Sequence, residues 1–352
     1  MATDCTNPPS ACFDDLNTAL AIVILAAATA GCSATSAPGA TGEASTGGAL
    51  QLALNQTEEH PSYIALSSFG ERLSEATDGR WSIDVFANET LGAQQETIQL
   101  VQDGTIDLSI VSGTQLENLN PDFGVLNLPT AFDDIESQLE IVHDDAIVGD
   151  LFGSLEESNN LTVVGGLTQG SRSVYTSYGP VSTPADLAGK KLRVQESELH
   201  IAMAEALGGA ATPMAFGELY TALQSGVVDA AENNAVSYVT QRHFEVAPYW
   251  TNTNHLIGID YLIADARMLD GMSEEDRAAF DEEWDATFAE HADLWETQTA
   301  EALETAEAGG ATITDVDPAV FQEALAPLVE RFLQTKGQQA LWDAIRAAQG
   351  DD

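Results

Sequence analysis

Arg193 lies between Leu192 and Val194 in a chain with few cations to place. Twelve lysines and arginines stand against 56 aspartates and glutamates, a formal net charge of −44. A guanidinium flanked by apolar residues suggests a dedicated role, and its planar fork matches the two oxygens of a carboxylate. The chemistry it suggests is capture of a ligand carboxylate; the competing reading is a structural ion pair with one of the many acids. Arg172, in Gly170-Ser171-Arg172-Ser173, reads equally as a second anion contact or as a salt bridge at a hinge. Phe216, Leu219, Tyr220 and Leu223 form one stripe of a predicted helix. Leu219 and Leu223 suit a core. Phe216, at the helix start, can floor a pocket, and Tyr220 is counted with the candidate ligand contacts. Asn233 offers a donor and an acceptor to a polar ligand, or serves as a turn residue. Glu58, Glu59 and His60 form a cluster with too few partners for a metal site. They suit contacts to ligand hydroxyls or amines, with capping of the helix that Pro61 opens as the alternative.

The elements that must hold these residues alternate between strand and helix from Leu50 onward. Leu50, Leu52 and Leu54 alternate as a first strand. A helix runs from Pro61 to about Ala76, stopped by Asp78-Gly79. Trp81–Phe86 and Ile106–Val111 read as strands around a helix near Ala93–Gln102. Further strands are expected at Leu161–Leu167, Ser173–Thr176 and Lys191–Gln195. Further helices are expected at Glu136–Asp145, Glu198–Leu207 and Phe216–Gln224. Gln102-Asp103-Gly104-Thr105-Ile106-Asp107-Leu108 is echoed by Gln224-Ser225-Gly226-Val227-Val228-Asp229-Ala230. In each, a glycine at a left-handed stop ends a helix and leads into a short apolar strand. The echo sets Ser112-Gly113-Thr114 and Glu232-Asn233-Asn234 at equivalent strand ends, where α/β sheets bind ligands. Ser112 joins the candidate contacts on that ground. The last third is helical, from Ser273 as N-cap to about Ala308, then from Pro318, and again over Gln338–Ala348 after Thr335-Lys336-Gly337.

Composition sets the outer limits. The length of 352 residues suits two domains or one large one. The acidity excludes nucleic acid as a partner, because phosphates are repelled, and reads as the solvated acidic surface of a salt-adapted protein. The cysteines, Cys5, Cys12 and Cys32, all precede the folded body, which therefore has neither a disulfide framework nor a cysteine metal site. Ala19–Ala30 is apolar, too short to span a membrane and the right length for a signal-peptide core. Thr29-Ala30-Gly31-Cys32-Ser33 resembles a lipobox with Cys32 as the lipidated residue, although no Lys or Arg precedes Arg72. Ser33 to Gly48 reads as a flexible tether. No nucleophile elbow, phosphate loop or His-Glu-x-x-His pattern is present, so the chain reads as a binding protein without cofactor or metal rather than an enzyme.

Several motifs together resemble the extracytoplasmic solute-binding subunit of TRAP transporters, DctP type. They are Thr77-Asp78-Gly79-Arg80, Leu91-Gly92, Leu128-Pro129, the run Pro184 to Val194, Pro213-Met214-Ala215-Phe216, Glu218 to Gln224, Gly226-Val227-Val228-Asp229, Glu232-Asn233 and Thr253-Asn254-His255. Ala230 stands where the family usually has glycine. The resemblance covers roughly residues 50–345. It implies an α/β two-lobe periplasmic-binding-protein (Venus flytrap) fold with a long helix spanning both lobes. The expected division is a signal or lipoprotein-like segment over 1–32, a tether over 33–48, lobe I over 49–169 plus 259–298, and lobe II over 170–258 plus 299–352. It assigns the solute carboxylate to Arg193, with Arg172, Phe216 and Asn233 beside it, and Ser112 and the Glu58–His60 loop as first-lobe contacts. It implies a monomer outside the cytoplasmic membrane, in the periplasm or lipid-anchored at the membrane's outer face. There it captures a small organic acid for a TRAP permease; a sensor partner or a periplasmic enzyme is the alternative.

Overall fold

A computed structural model describes residues 47–350 of the chain. The apolar run, Cys32 and nearly all of the expected tether lie outside the described residues. The strands are β1 (Gly48–Ala53), β2 (Trp81–Phe86), β3 (Leu108–Ser112), β4 (Leu161–Thr176), β5 (Lys191–Val194), β6 (Ala210–Pro213), β7 (Ala230–Asn234), β8 (Tyr249–Asp265) and β9 (Thr312–Asp315). The helices that matter here are α1 (Pro61–Ala76), α2 (Gln94–Asp103), α3 (Glu198–Ala206), α4 (Leu219–Ser225), α5 (Glu274–Ala308) and α6 (Lys336–Ala348). No described helix is long and apolar enough to cross a membrane.

The sheet order is β2-β1-β3-β8-β4-β7-β5-β6, with β9 beside β8. This order is close to a mirror image of itself. β1 runs parallel to β2 and β3, and β5 runs parallel to β6 and β7. β3 then joins β8, and β7 joins β4, both antiparallel. The seven-residue echo marks this symmetry. Gly104 and Gly226 end α2 and α4 at φ 70° and 72°, a left-handed conformation that costs glycine little. The strands that follow end at Ser112 and Asn234. The architecture is the expected two-lobe α/β fold, and α5 reaches both lobes.

β4 and β8 form the connection between the lobes. Their antiparallel pairing runs from Leu161 opposite Asp265 to Thr176 opposite Tyr249. The sequence suggested two separate strands over Leu161–Thr176, because Gly165, Gly166 and Gly170 interrupt the alternation. The structure has one strand there with irregular register at Val163/Gly165, Thr168/Gly170 and Arg172/Val174. Such bulges bend a strand and raise its twist without ending it. The sequence of β8 shows no strand alternation, since buried positions run together through its second half.

Helix α5 lies across this connection. A Cβ on Gly165 would stand 2.5 Å from Trp284 Nε1, and one on Gly170 would stand 2.5 Å from Trp295 Nε1. The two tryptophans are about three helical turns apart, on one face. In lobe I, α5 packs on α1 through Phe280 and Trp284 against Phe69. Arg72 ties the same helices by bonds to Glu283 and Glu290. Toward lobe II, Ala302 and Ala306 enter a core with Tyr175, Tyr238 and Trp250. The last helix starts two residues before the expected Gln338, with Thr335 as its cap. Arg346 bonds Thr130 O and Asp133, each at 3.0 Å, so α6 leans on the segment that follows β3.

Gly170→Ala should cost about 2–4 kcal/mol in urea unfolding, because φ is +63° and the new methyl meets Trp295. Gly79→Ala, at φ +77° in open space, should cost about 1 kcal/mol. Equal losses at the two positions would show that the tryptophan contact imposes nothing.

Candidate functional site

β5 positions Arg193. Its sequence, Lys-Leu-Arg-Val, buries the last three residues between β6 and β7. The Arg193 side chain turns to the segment after β6, where Nε and Nη2 donate to Met214 O at 3.1 and 2.8 Å. Nη1 is buried and has no hydrogen-bond partner among the described residues. Phe216 lies under the guanidinium, 5.7 Å from Cζ to the ring centroid. Arg72, Arg80, Arg172, Arg242, Arg267, Arg277 and Arg346 each meet a carboxylate. Among the described residues, Arg193 is the buried arginine that meets none. Burial pulls its pKa down, against the nearby Tyr175 and Glu232.

Arg172 is the opposite case. It leaves β4 opposite Asn234 of β7 and is 1 % exposed, against 0 % for Glu232. Nε and Nη2 donate to the two Glu232 carboxylate oxygens at 2.7 and 2.8 Å, and Nη2 also reaches Glu232 O at 3.1 Å. Nη1 donates to Gln169 Oε1 at 2.6 Å and to Asn233 Oδ1 at 3.0 Å. All the donors of this guanidinium are thereby used. Burial opposes the charge on Glu232, but Arg172 with His200 and His255 outweighs it and holds the carboxyl well below its ordinary range. Of the two readings left open for Arg172, the structure has the internal ion pair.

Both arginines border the same cavity. Phe216, Asn233 and Ser112 line it as well. The rest of its wall is rich in carboxamides: Asn55, Gln56, Gln94, Gln115, Gln169, Gln195 and Asn234. Three acids, Glu89, Glu196 and Asp260, also face it. Buried oxygens of Asn55, Gln56 and Gln115 have no partner among the described residues. Such a wall donates and accepts hydrogen bonds on several sides, which suits a hydroxylated ligand.

Contacts from both lobes seal the cavity. Gly217 N donates to Glu89 Oε1 at 3.2 Å, and a Cβ at Gly217 would strike this carboxylate. Thr114 Oγ1 donates to Gln195 Oε1 at 2.6 Å, and Asn118 Nδ2 to Glu196 O at 3.3 Å. Beside them Glu117 accepts from Asn127 Nδ2 at 2.8 Å. Burial raises its carboxyl to about 7, opposed by Ser197 and Asn127 and helped by the charge of Glu198. Burial also raises Glu89, and lifts Asp260 to about 6 despite Gln169 and Arg172.

Glu59, His60 and Tyr220 do not line the cavity. Glu59 is exposed, and its carbonyl accepts from Gln298. His60 caps α1, with Nδ1 accepting from Ser62 N at 3.2 Å, and Nε2 lies 3.4 Å from Ser237 Oγ across the lobes. Burial and neighbouring His291 push its pKa down to about 3. Tyr220 turns outward to Glu245 at 3.0 Å. The loop that was singled out does reach the cavity, but through Asn55 and Gln56, which precede the charged residues. A lone carboxamide carries no spacing signal. Asp260 and Gln169 sit inside the crossing strands, where only the pairing of β4 with β8 brings them to the cavity.

The family described as bacterial extracellular solute-binding protein, family 7, matches residues 52–336. A solute-binding protein of Chromohalobacter salexigens is 34% identical over 276 residues, 78% of this chain and 82% of that one. A TRAP periplasmic solute-binding protein of Anaerococcus prevotii, solved with bound D-glucuronate, superposes with a TM-score of 0.83 at 34% identity. The match covers 86% of this chain and 99% of that one. A second such protein, from Bradyrhizobium and in complex with D-galacturonate, gives a TM-score of 0.80 at 31% identity over 85% and 99% of the two chains.

Two substitutions test the electrostatics. Glu232→Gln strands the Arg172 charge and should cost about 3–5 kcal/mol in urea unfolding at neutral pH. Arg193→Ala, which removes an unpaired buried charge, should cost less; the reverse order would overturn the assignment of the two arginines. Glu117 is protonated in both folded and unfolded chains below its ordinary 4.5. As pH rises from there through about 7 the unfolded chain ionises first, so stability is lost by up to about 3 kcal/mol. Glu117→Gln should therefore be more stable than the parent at pH 8, with the gain shrinking toward pH 4. A gain of the same size at both pH values would contradict the raised pKa.

Proposed function

The chain belongs to the bacterial extracellular solute-binding proteins of family 7, the binding proteins of TRAP-type transport, and from that premise we propose that its solute is a hexuronate, an acid sugar with one carboxylate. The observation that carries this reading is the buried, unpaired Nη1 of Arg193 in a cavity walled by carboxamides. A carboxylate there satisfies the unmatched donor and the unmatched charge together. The sugar hydroxyls meet Asn55, Gln56, Gln115 and Asn233, and Phe216 offers its ring to an apolar face. The bound D-glucuronate and D-galacturonate of the similar solved proteins support the same class.

Closure follows from the geometry. Glu89 and Thr114 of the first lobe bond to Gly217 and Gln195 of the second. A solute that touches both walls adds contacts available only when the lobes meet, and this differential drives the closed state. The loaded protein then hands its solute to a membrane permease. The protein acts as a monomer outside the cytoplasmic membrane, as the family resemblance implies, and the lipobox-like Thr29-Ala30-Gly31-Cys32-Ser33 supports a lipid tether at Cys32. Binding without turnover is the expected behaviour.

Thermal unfolding with D-glucuronate, D-galacturonate, the neutral parent sugars and succinate tests this. A uronate at 100 times its dissociation constant adds about 2.7 kcal/mol of stability. The uronates should raise the midpoint, the neutral sugars should not, and Arg193→Ala should abolish the shift. A shift from neutral sugars alone, or one that survives Arg193→Ala, would contradict the proposal.

A further inference from the structure

The cavity wall holds one cation with no carboxylate bonded to it, Arg193, and three carboxylates, Glu89, Glu196 and Asp260. Asp260 differs from the other two in its position. It projects from β8, between Ser112 of β3 and Leu167 of β4, and is 3 % exposed. Gln169 Nε2 donates to its Oδ1 and also reaches Ser112 Oγ and Ile259 O, each at 3.2 Å. Arg172 stands nearby but donates to Glu232, Gln169 and Asn233 and has no N–H left for Asp260. An ionised carboxylate only accepts hydrogen bonds, and this one is held on a wall with no cation bonded to it.

We infer that Asp260 is the specificity-determining residue that makes the cavity accept an acid sugar with one carboxylate and refuse the corresponding dicarboxylate. The inference rests on the reading that Arg193 takes the solute carboxylate. Once that carboxylate is placed, the remaining oxygens of the solute face a wall that contains Asp260 and Glu89. A hydroxyl can donate to Asp260 Oδ2. A second carboxylate cannot donate, and it brings a like charge into a desolvated space, a juxtaposition that costs several kcal/mol. Carboxamides such as Asn55, Gln56 and Gln115, whose oxygens have no partner among the described residues, can adapt to either partner by turning over; a fixed carboxylate cannot. Asp260 lies in the strand ribbon that joins the lobes, and pairing with β3 on one side and β4 on the other fixes its position.

The test is calorimetric binding of D-galacturonate and galactarate, its dicarboxylate counterpart, to the parent protein and to Asp260→Asn. The parent should prefer the uronate by about 100-fold or more. Asp260→Asn should lower that ratio by about tenfold or more, chiefly by improving galactarate relative to galacturonate. Thermal melts confirm that the variant is folded, and Asp260→Ser supplies the same comparison should the asparagine variant not fold. A parent protein that binds both solutes equally overturns the inference. So does a variant whose ratio is unchanged, because a purely structural role would weaken both solutes alike. Binding of neither solute by the parent sinks the Arg193 reading itself, whereas galacturonate binding with an unaltered ratio leaves that reading standing and removes only Asp260.

Discussion

The buried pair of Arg172 and Glu232 is the interaction on which the rest of the site depends. The carboxylate takes the Nε–Nη2 edge of the guanidinium, and Gln169 and Asn233 take the donors of Nη1. The pair joins β4 to β7, so it also fixes the register with which the crossing ribbon enters lobe II. Its most important consequence is electrostatic. Glu232 is bonded to Arg172, with His200 and His255 at 3.6 and 3.5 Å, and it acts on Arg193 only from a distance. Arg193 is therefore left with no carboxylate bonded to it. A buried charge is costly unless matched, and the match must come from outside the chain. A strongly acidic protein can in this way keep one site that attracts anions.

The second constraint is the seam between the lobes. Arg193 and Phe216 come from the second lobe, while Asn55, Gln94 and Gln115 come from the first. A bound solute holds these groups together, beside the protein's own links across the seam, which are the hydrogen bonds of Glu89, Thr114 and Asn118 and a buried apolar cluster drawn from both sides. Several involve acids whose protonation burial alters, Glu89 and Glu117 among them. A binding protein needs solute contacts to add to whatever its lobes make alone, because only contacts made in the closed state shift the balance toward it. The rigid parts lie elsewhere. Trp284 and Trp295 of α5 press on Gly165 and Gly170 of β4, which keeps the bulged ribbon in one bent shape.

Much of the fold was legible in the sequence. Helix α1 and strand β2 have the boundaries that alternation, Pro61 and Asp78-Gly79 predict. The echo around Gly104 and Gly226 announced the symmetry of the sheet, because both helices need the same left-handed stop. The crossing ribbon was less legible. Its glycines look like strand ends when they are bulges, and β8 is too uniformly buried to show a period of two. In the site, the charged and aromatic members stood out by type: Arg193 between apolar neighbours, Phe216 at a helix start, Asn233 at a strand end. Glu59, His60 and Tyr220 were suggested by the same logic, yet one is solvated, one caps a helix and one bonds Glu245. The carboxamides that make most of the wall have no local signature, since only tertiary structure decides which of many Asn and Gln residues face a cavity. Asp260 was hidden for the same reason among 56 acids.

If Arg193, and not Arg172, receives the carboxylate of the solute, a crystal structure of the protein with D-glucuronate should place a carboxylate oxygen about 3 Å from Arg193 Nη1, with the Arg172–Glu232 pair unchanged. A carboxylate bonded to Arg172 with Glu232 displaced, or one placed away from both guanidiniums, would contradict it.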